Sequence, residues 1–135
     1  MDLQKALSIS ARGMNVQTTR LRVIAENLAN QDTTGTSPNT QPYRRKTITF
    51  ANAMDKSVGA ETVRVKKVDR DMGDLPLRFD PSHPAADGRG YVKVPNVNSF
   101  IEVMDMKEAQ RAYSANLNVL QVSRGMLSRT IEMLR

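Results

Sequence analysis

The sequence predicts an α+β protein in which long helices at the two ends of the chain form an antiparallel coiled-coil-like domain, with a small β-rich middle region between them. Two observations favour this class. Apolar residues recur with a seven-residue period near both termini. All six prolines and five of the seven glycines lie between residues 31 and 98. Since both residue types disfavour helix interiors, we expect helices over residues 1–30 and 99–135 and an extended region over 31–98.

The N-terminal helix is predicted from apolar residues whose spacing alternates between four and three. The apolar members of this seam are Leu3, Leu7, Met14, Leu21, Ile24 and Leu28. Ser10 and Gln17 occupy the two remaining positions of the same pattern. A seam of nearly four heptads is typical of a helix that packs along a second helix.

The middle region is predicted to contain short strands and turns. Four stretches are strand-like by alternation or by β-branched and aromatic content: 43–50, 63–65, 75–79 and 92–94. Residues 69–74 include Gly73, and we expect them to connect the second and third of these strands as a hairpin. The proline and aspartate residues of 80–90 predict an ordered loop.

The C-terminal helix repeats the heptad pattern over a longer stretch. Its apolar seam comprises Val103, Met106, Tyr113, Leu117, Leu120, Leu127, Ile131 and Leu134. Ser99 and Glu102 have the spacing of a capping box, in which the hydroxyl and the carboxylate bond to N–H groups of the first turn. The two seams fit either the buried faces of one helical domain or contacts between subunits, because a helix of about 35 residues is some 50 Å long.

Gly13 and Gly125 are the only glycines outside the middle region. Each is expected to cost its helix about 1 kcal/mol relative to alanine. In an antiparallel pairing whose residue numbers sum to 13 + 125 = 138, the two glycines lie at one level and allow a close approach of the backbones. The alternative is that they are two unrelated, tolerated glycines.

The composition lacks most of the residues that catalysis and metal binding require. Cysteine is absent and His83 is the one histidine, which excludes thiolate sites and histidine clusters. The aspartates of the middle region do not have the spacing of a calcium-binding loop and are typical of turns. We expect His83 to be an exposed loop residue. The sequence therefore predicts no enzymatic activity, no metal and no cofactor.

The net charge is positive, with 20 lysines and arginines against 14 acidic residues, or +6. The basic runs 44–46 and 64–67 keep a small basic nucleic-acid-binding protein as the alternative function. These runs have no interleaved aromatic residues and are more typical of solvent-facing strand surfaces. No apolar run approaches the roughly 20 residues of a membrane span, and the N-terminus does not resemble a cleavable signal peptide, so we expect neither.

Near the end of the N-terminal helix, an Asn-x-Ala-Asn-x-x-Thr motif leads to an aromatic and basic segment and a downstream Phe. Its residues are Asn27, Ala29, Asn30, Thr33, Tyr43, Arg44 and Phe50. This stretch resembles the N-terminal signature of bacterial flagellar axial proteins. Residues 36–42 intervene between its two halves, a spacer that suits the proximal-rod branch of the family.

A second, more specific stretch lies between the middle region and the C-terminal helix. Its residues are Asp80, Pro81, His83, Pro84, Asp87, Gly90, Tyr91, Val92, Pro95, Asn96 and Asn98. This stretch resembles the basal-body rod proteins of the same family. Together with the segments 102–106 and 111–116, it extends the resemblance essentially from end to end.

The resemblance implies a structural subunit of the proximal rod of the flagellar basal body, the tubular drive shaft that transmits motor torque. It implies assembly with further copies, with other proximal and distal rod subunits, and with basal-body adaptor proteins. It further implies synthesis in the cytoplasm, export without a cleaved signal through the flagellar type III apparatus, and a final location in the rod that crosses the periplasm. Terminal helices that become ordered when their apolar seams pack against partner helices fit this function. Such a function requires neither nucleic acid nor a membrane span.

Overall fold

The computed structural model describes residues 2–135, and within this range the chain forms two helices and four strands. The elements are α1 (Leu3–Ala29), β1 (Lys46–Asp55), β2 (Ala60–Arg70), β3 (Leu77–Phe79), β4 (Tyr91–Lys93) and α2 (Ser99–Met133). Two long helices at the ends and four strands between them confirm the predicted α+β class. β1 and β2, with 10 and 11 residues, are longer than the short strands that were predicted, and β3 and β4 have 3 residues each.

The strands form two separate two-stranded sheets, β1 with β2 and β3 with β4. Residues 56–59 join β1 to β2, and the N–H of Gly59 donates to the carbonyl of Asp55 at 2.7 Å. Gly59 has a φ of 68°, which glycine adopts readily. The hairpin connection predicted at residues 69–74 is wrong, because β2 extends to Arg70 and pairs with β1 through the turn at Gly59.

The chain divides into two compact units. The first unit contains α1 as far as Leu21, together with Ile48–Lys67 and Met106–Arg135. The second contains Arg22–Thr47 and Val68–Asp105. Both helices contribute to both units, so each unit holds a segment of α1 and a segment of α2.

The helices run antiparallel within the first unit. A Cβ atom added to Gly13 would lie 2.9 Å from Nδ2 of Asn116, and Arg20 forms an ion pair with Glu108 at 3.6 Å. The residue numbers of these pairs sum to 129 and 128. The register predicted from the two glycines, with a sum of 138, is therefore wrong by nine to ten residues, which is more than one heptad. The amide of Asn116 fills the space above Gly13, whereas a Cβ atom on Gly125 would meet no atom within 4 Å.

The face of each helix that contacts the other helix only partly coincides with the predicted seam. Several of its buried residues lie one position before a predicted seam residue. Ser10, Gly13 and Val16 are buried on α1, while the neighbouring Met14 and Leu21 are half-buried. On α2 the buried residues are Ala109 and Ser123 in the first unit and Glu102 in the second. Small side chains at the centre of the contact allow the backbones to approach, and larger apolar side chains flank them.

The seam residues differ in burial. Ile24 is buried, and the half-buried members are Leu3, Leu7, Met14, Leu21, Leu28, Met106, Tyr113, Leu117, Leu120 and Leu127. Val103, Ile131 and Leu134 are exposed, Leu134 at 83% of its surface. Within the described range, the largest fully buried side chains are Glu102, Val92 and Asn27, so two of these three are polar. Neither helix combines the length and apolar character needed to cross a membrane over the described residues.

Candidate functional site

The motif residues of the sequence converge in the second unit on a group of polar side chains, which we call the Asn27 cluster. It consists of Asn27, Tyr43, Arg45, Lys46, Asn96 and Glu102. Asn27 lies in the last turns of α1 and Glu102 in the first turn of α2. Tyr43 and Arg45 precede β1, Lys46 is the first residue of β1, and Asn96 follows β4.

The side-chain amide of Asn27 is at the centre of the cluster and is 1% exposed. Its Oδ1 accepts hydrogen bonds from the hydroxyl of Tyr43 at 2.8 Å and from the backbone N–H of Lys46 at 2.9 Å. Its Nδ2 donates to the backbone carbonyl of Lys46 at 2.9 Å and to Oε2 of Glu102 at 3.3 Å. All four hydrogen-bonding positions of the amide are therefore used.

Glu102 brings a carboxylate into the interior, where its side chain is 1% exposed. Its Oε1 accepts a hydrogen bond from Nε of Arg45, whose guanidinium also lies 3.5 Å from a carboxylate oxygen of Asp105. A buried carboxylate needs such partners because removal of a charge from water costs several kcal/mol. The ion pair therefore holds the start of α2 against the segment before β1.

The inward position of Glu102 corrects the predicted capping box. Its carboxylate points to Arg45 and Asn27, away from the N-terminus of its own helix. The cap is Asn98, whose Oδ1 accepts hydrogen bonds from the N–H groups of Phe100 at 3.1 Å and Ile101 at 3.4 Å. Asparagine is as favourable as serine at this position, so the helix keeps a satisfied N-terminus while Glu102 is free to bond elsewhere.

Asn96 extends the cluster along the backbone. Its Oδ1 accepts from the N–H of Arg45 at 2.8 Å, and its Nδ2 donates to the carbonyl of Asp71 at 3.1 Å. The N–H of Asp71 in turn donates to the carbonyl of Arg45 at 2.8 Å. The side chain of Arg44 donates to the carbonyls of Asp71 and Gly73 at 3.1 and 2.8 Å. Asn96 thus bridges the two segments at the open end of the β1–β2 hairpin, one just before β1 and one just after β2.

The cluster and its neighbours perturb two titratable groups. Burial raises the pKa of Tyr43, so that its phenol stays protonated and donates to Asn27. The hydrogen bond from Lys46 at 2.7 Å lowers the pKa of Glu26. Arg44, Arg45 and Lys46 all bond within the chain, so the first of the two basic runs is committed to internal contacts. The basic residues of the second run are exposed on β2, as predicted for a solvent-facing strand surface, so the alternative function has no support.

The loop over residues 80–90 is ordered by aspartate side chains. Oδ1 of Asp87 accepts from the N–H groups of Arg89 at 2.8 Å and Tyr91 at 3.0 Å. These backbone hydrogen bonds lower the pKa of Asp87, and the bond from Tyr91 has the largest effect. Gly90 has a φ of 83°, and an added Cβ atom would lie 3.0 Å from the ring of Phe79. The loop therefore closes tightly on the β3–β4 sheet.

His83 is half-buried, which corrects the expectation of an exposed loop residue. Its Nδ1 accepts a hydrogen bond from the N–H of Ala85 at 3.0 Å, and its Nε2 lies 2.9 Å from Oγ1 of Thr34. This arrangement requires the neutral tautomer with the proton on Nε2. The imidazole therefore joins the loop to the segment after α1, a contact the sequence pattern did not predict.

The remaining motif residues occupy supporting positions. Nδ2 of Asn30 donates to the carbonyl of Glu26 at 2.8 Å, and its Oδ1 accepts from Thr33 at 3.1 Å, which ends α1 just after Ala29. Val92 and Pro95 are buried, whereas Pro81 and Pro84 are exposed in the loop. Phe50 lies in the first unit, is exposed, and takes no part in the cluster.

Sequence reasoning identified Asn27, Tyr43 and Asn96 but not the roles of Glu102 and Lys46. The role of Glu102 was missed because a glutamate in the first helical turn has the signature of a capping box. The role of Lys46 was missed because Asn27 bonds only to its backbone atoms, which leave no signal in the side-chain pattern. In the described part of the chain, no group of three or more His, Cys, Asp or Glu side chains could hold a metal ion. With its donors and acceptors paired internally, the cluster is suited to joining segments of one chain.

Comparisons with known proteins agree with this structural role. Residues 7–35 match the family model for flagella basal body rod proteins, and residues 89–133 match the model for the C-terminal region of flagellar basal body rod FlgEFG proteins. Three of the proteins similar to the chain are called flagellar basal-body rod protein FlgC. The protein of Agrobacterium fabrum is 48% identical over 98% of this chain and 96% of its own length. The protein of Escherichia coli O6:H1 is 38% identical, covering 97% of each chain, and that of Bacillus subtilis is 32% identical over 94% and 95%.

Proposed function

Because the chain belongs to the FlgC family of flagellar basal-body rod proteins and is a structural subunit of the rod, we propose that it is built into the proximal rod. There it is one of the subunits of the tubular shaft that transmits motor torque across the periplasm. The subunit performs no catalytic step in this function. Its partners are further copies, other proximal and distal rod subunits, and basal-body adaptor proteins.

The observation that carries this proposal is the exposed apolar surface of α2. Val103, Ile131 and Leu134 belong to the heptad seam but are exposed in the single chain. The other seam residues are at least half-buried. Large apolar side chains left in water on a long helix favour burial against a neighbouring protein. We assign the exposed seam residues to contacts between subunits and the buried ones to the pairing of α1 with α2.

The motif residues have a different function in this proposal. The Asn27 cluster fixes the end of α1 and the start of α2 in one unit, so that a force applied to one helix is passed through hydrogen bonds and an ion pair. Torque transmission requires rigid junctions of this kind, because a flexible junction absorbs rotation by bending. The small buried core favours a chain that reaches full order only in the assembled rod.

Export through the flagellar type III apparatus is the remaining part of the proposal. A chain that is threaded unfolded benefits from a thin core and from the absence of disulfide bonds, and this sequence contains no cysteine. The same apparatus leaves no processed signal peptide, so the mature N-terminus is expected to retain the start of α1.

Basal bodies isolated from the source bacterium provide the test. We expect antibodies against the chain to label the rod near its cytoplasmic end, and deletion of the gene to abolish rod assembly and motility. Motility without the gene, or a chain found outside the basal body, would contradict the proposal.

A further inference from the structure

The second half of α2 carries an apolar stripe that is separate from the heptad seam. Val119, Val122, Met126 and Met133 are 50%, 58%, 53% and 79% exposed. At roughly 100° per residue they fall within about 60° of one another on the helix surface. The buried Ser123 lies about 100° further round than Val122. We call these four residues the outer stripe.

Gly125 forms a notch at the edge of the outer stripe. A Cβ atom at this position would meet nothing within 4 Å, and the surrounding depression is lined by Gln121, Val122, Met126 and Arg129. Positions 122, 125, 126 and 129 have the spacing of the four residues that surround a knob in coiled-coil packing. Gly13 is explained by a contact within the chain, since the side chain of Asn116 occupies the space where a Cβ atom would lie. No contact within the described residues explains Gly125, although glycine costs an exposed helix about 1 kcal/mol.

The charges on this face indicate the kind of partner. Arg111 and Arg129 lie in line with the outer stripe, and neither forms an ion pair with any residue from 2 to 135. Unpaired guanidinium groups beside an apolar stripe favour carboxylates at the edge of the opposing surface. A second copy of the chain is a poor match, because each copy has a net charge of +6 and its residues 2–29 expose no large apolar side chain. Its α2 carries the same two arginines beside the stripe, and these would repel Arg111 and Arg129.

We propose that the outer stripe binds an amphipathic helix of a different polypeptide, one whose apolar side chain enters the notch at Gly125 and whose flanking carboxylate pairs with Arg129. This inference rests on the proposed function and specifies a partner surface for it. It distinguishes the outer stripe from the exposed seam residues, which lie elsewhere around the helix.

Site-specific photo-crosslinking in assembled basal bodies tests the inference. Val122 is replaced by p-benzoylphenylalanine in the source bacterium, basal bodies are isolated and irradiated, and the joined peptides are sequenced by mass spectrometry. We expect the crosslink to map to a helical segment of another polypeptide that carries Asp or Glu within one turn of the linked residue. Crosslinks that map to a second copy of this chain would overturn the proposal.

Two variants and a control complete the test. Arg129→Glu and Gly125→Leu should each lower the crosslink yield by about fivefold or more, through charge repulsion and through filling of the notch. Arg129→Lys is the matched control, since it keeps a positive charge at the same position and should retain most of the crosslink yield. Equal losses in Arg129→Glu and Arg129→Lys, or no crosslink in basal bodies that contain the chain, would overturn the outer stripe as an interface. Presence of the chain in those basal bodies is measured separately by immunoblotting, so the rod function can hold even when this proposal fails.

Discussion

The Asn27 cluster and the last turns of α2 use polar and apolar residues in opposite ways. In the cluster, polar side chains are buried and bond to one another, with Asn27 and Glu102 each 1% exposed. At the end of α2, apolar side chains such as Ile131 and Leu134 are exposed. Burial within this chain therefore follows hydrogen-bond pairing as much as hydrophobicity. One region is complete in the single chain, and the other has surface left for a neighbour.

The largest effect on rod assembly is expected from Leu134→Asp, a substitution that tests the exposed C-terminal end of α2. Since Leu134 makes little contact within the chain, the free energy of unfolding should change by no more than about 0.5 kcal/mol. Rod assembly should fail, because the charge would be buried against a neighbouring subunit. Swimming assays and electron microscopy of basal bodies measure assembly, and urea titration measures stability. Normal motility would show that this end of the helix is not a subunit contact.

Arg45→Met tests the opposite region. The substitution leaves the buried carboxylate of Glu102 without its charged partner, and we expect the free energy of unfolding to fall by about 3–5 kcal/mol. Urea denaturation followed by circular dichroism provides the measurement. Glu108→Gln is the control, because the ion pair of Glu108 with Arg20 is 3.6 Å long and its side chain is 70% exposed, so a change under about 0.5 kcal/mol is expected. Similar losses in both variants would remove the distinction between buried and exposed pairs.

The two helix glycines should respond differently to alanine. Gly125→Ala should stabilise the protein by about 0.5–1 kcal/mol, because alanine is the better helix former and the space is open. Gly13→Ala should gain less or lose stability, since its methyl group displaces the amide of Asn116, which donates to the carbonyl of Ala112 at 3.1 Å. Thermal unfolding of the two variants measures the difference. An equal gain at both positions would contradict the close approach of the helices at Gly13.

The smallest effect concerns acid and the loop over residues 80–90. Hydrogen bonds lower the pKa of Asp87 in the folded chain, so the stabilisation is present above the unfolded pKa of about 3.9 and is lost as the pH falls through the folded value. The amide resonance of Tyr91 should shift as Asp87 is protonated, at a pH below the ordinary carboxyl pKa of about 3.9. Asp87→Asn should abolish this shift. A Tyr91 resonance that moves equally in the variant would assign the transition to another group.

The sequence was sufficient for the helices, the extended middle region and the family, because these depend on periodicity, on proline and glycine placement and on short motifs. It was insufficient for the partners of individual side chains. Glu102 three residues after Ser99 has the spacing of a capping box, and only the fold reveals that Asn98 caps the helix while Glu102 binds Arg45. The helix register failed for the same reason, since Asn116 contacts Gly13 across more than 100 residues of chain. Local patterns do not encode such distant pairs.

The hydrogen bond between Asn27 and Glu102 joins residues that are 75 positions apart in the chain. In a chain delivered from its N-terminus, Asn27 arrives long before its partner. Tyr43 and Lys46 can bond to it early, but the fourth bond must wait until α2 has begun to emerge. Closure of this junction therefore marks the moment when most of the polypeptide is present, and the end of α1 gains its last hydrogen bond only then.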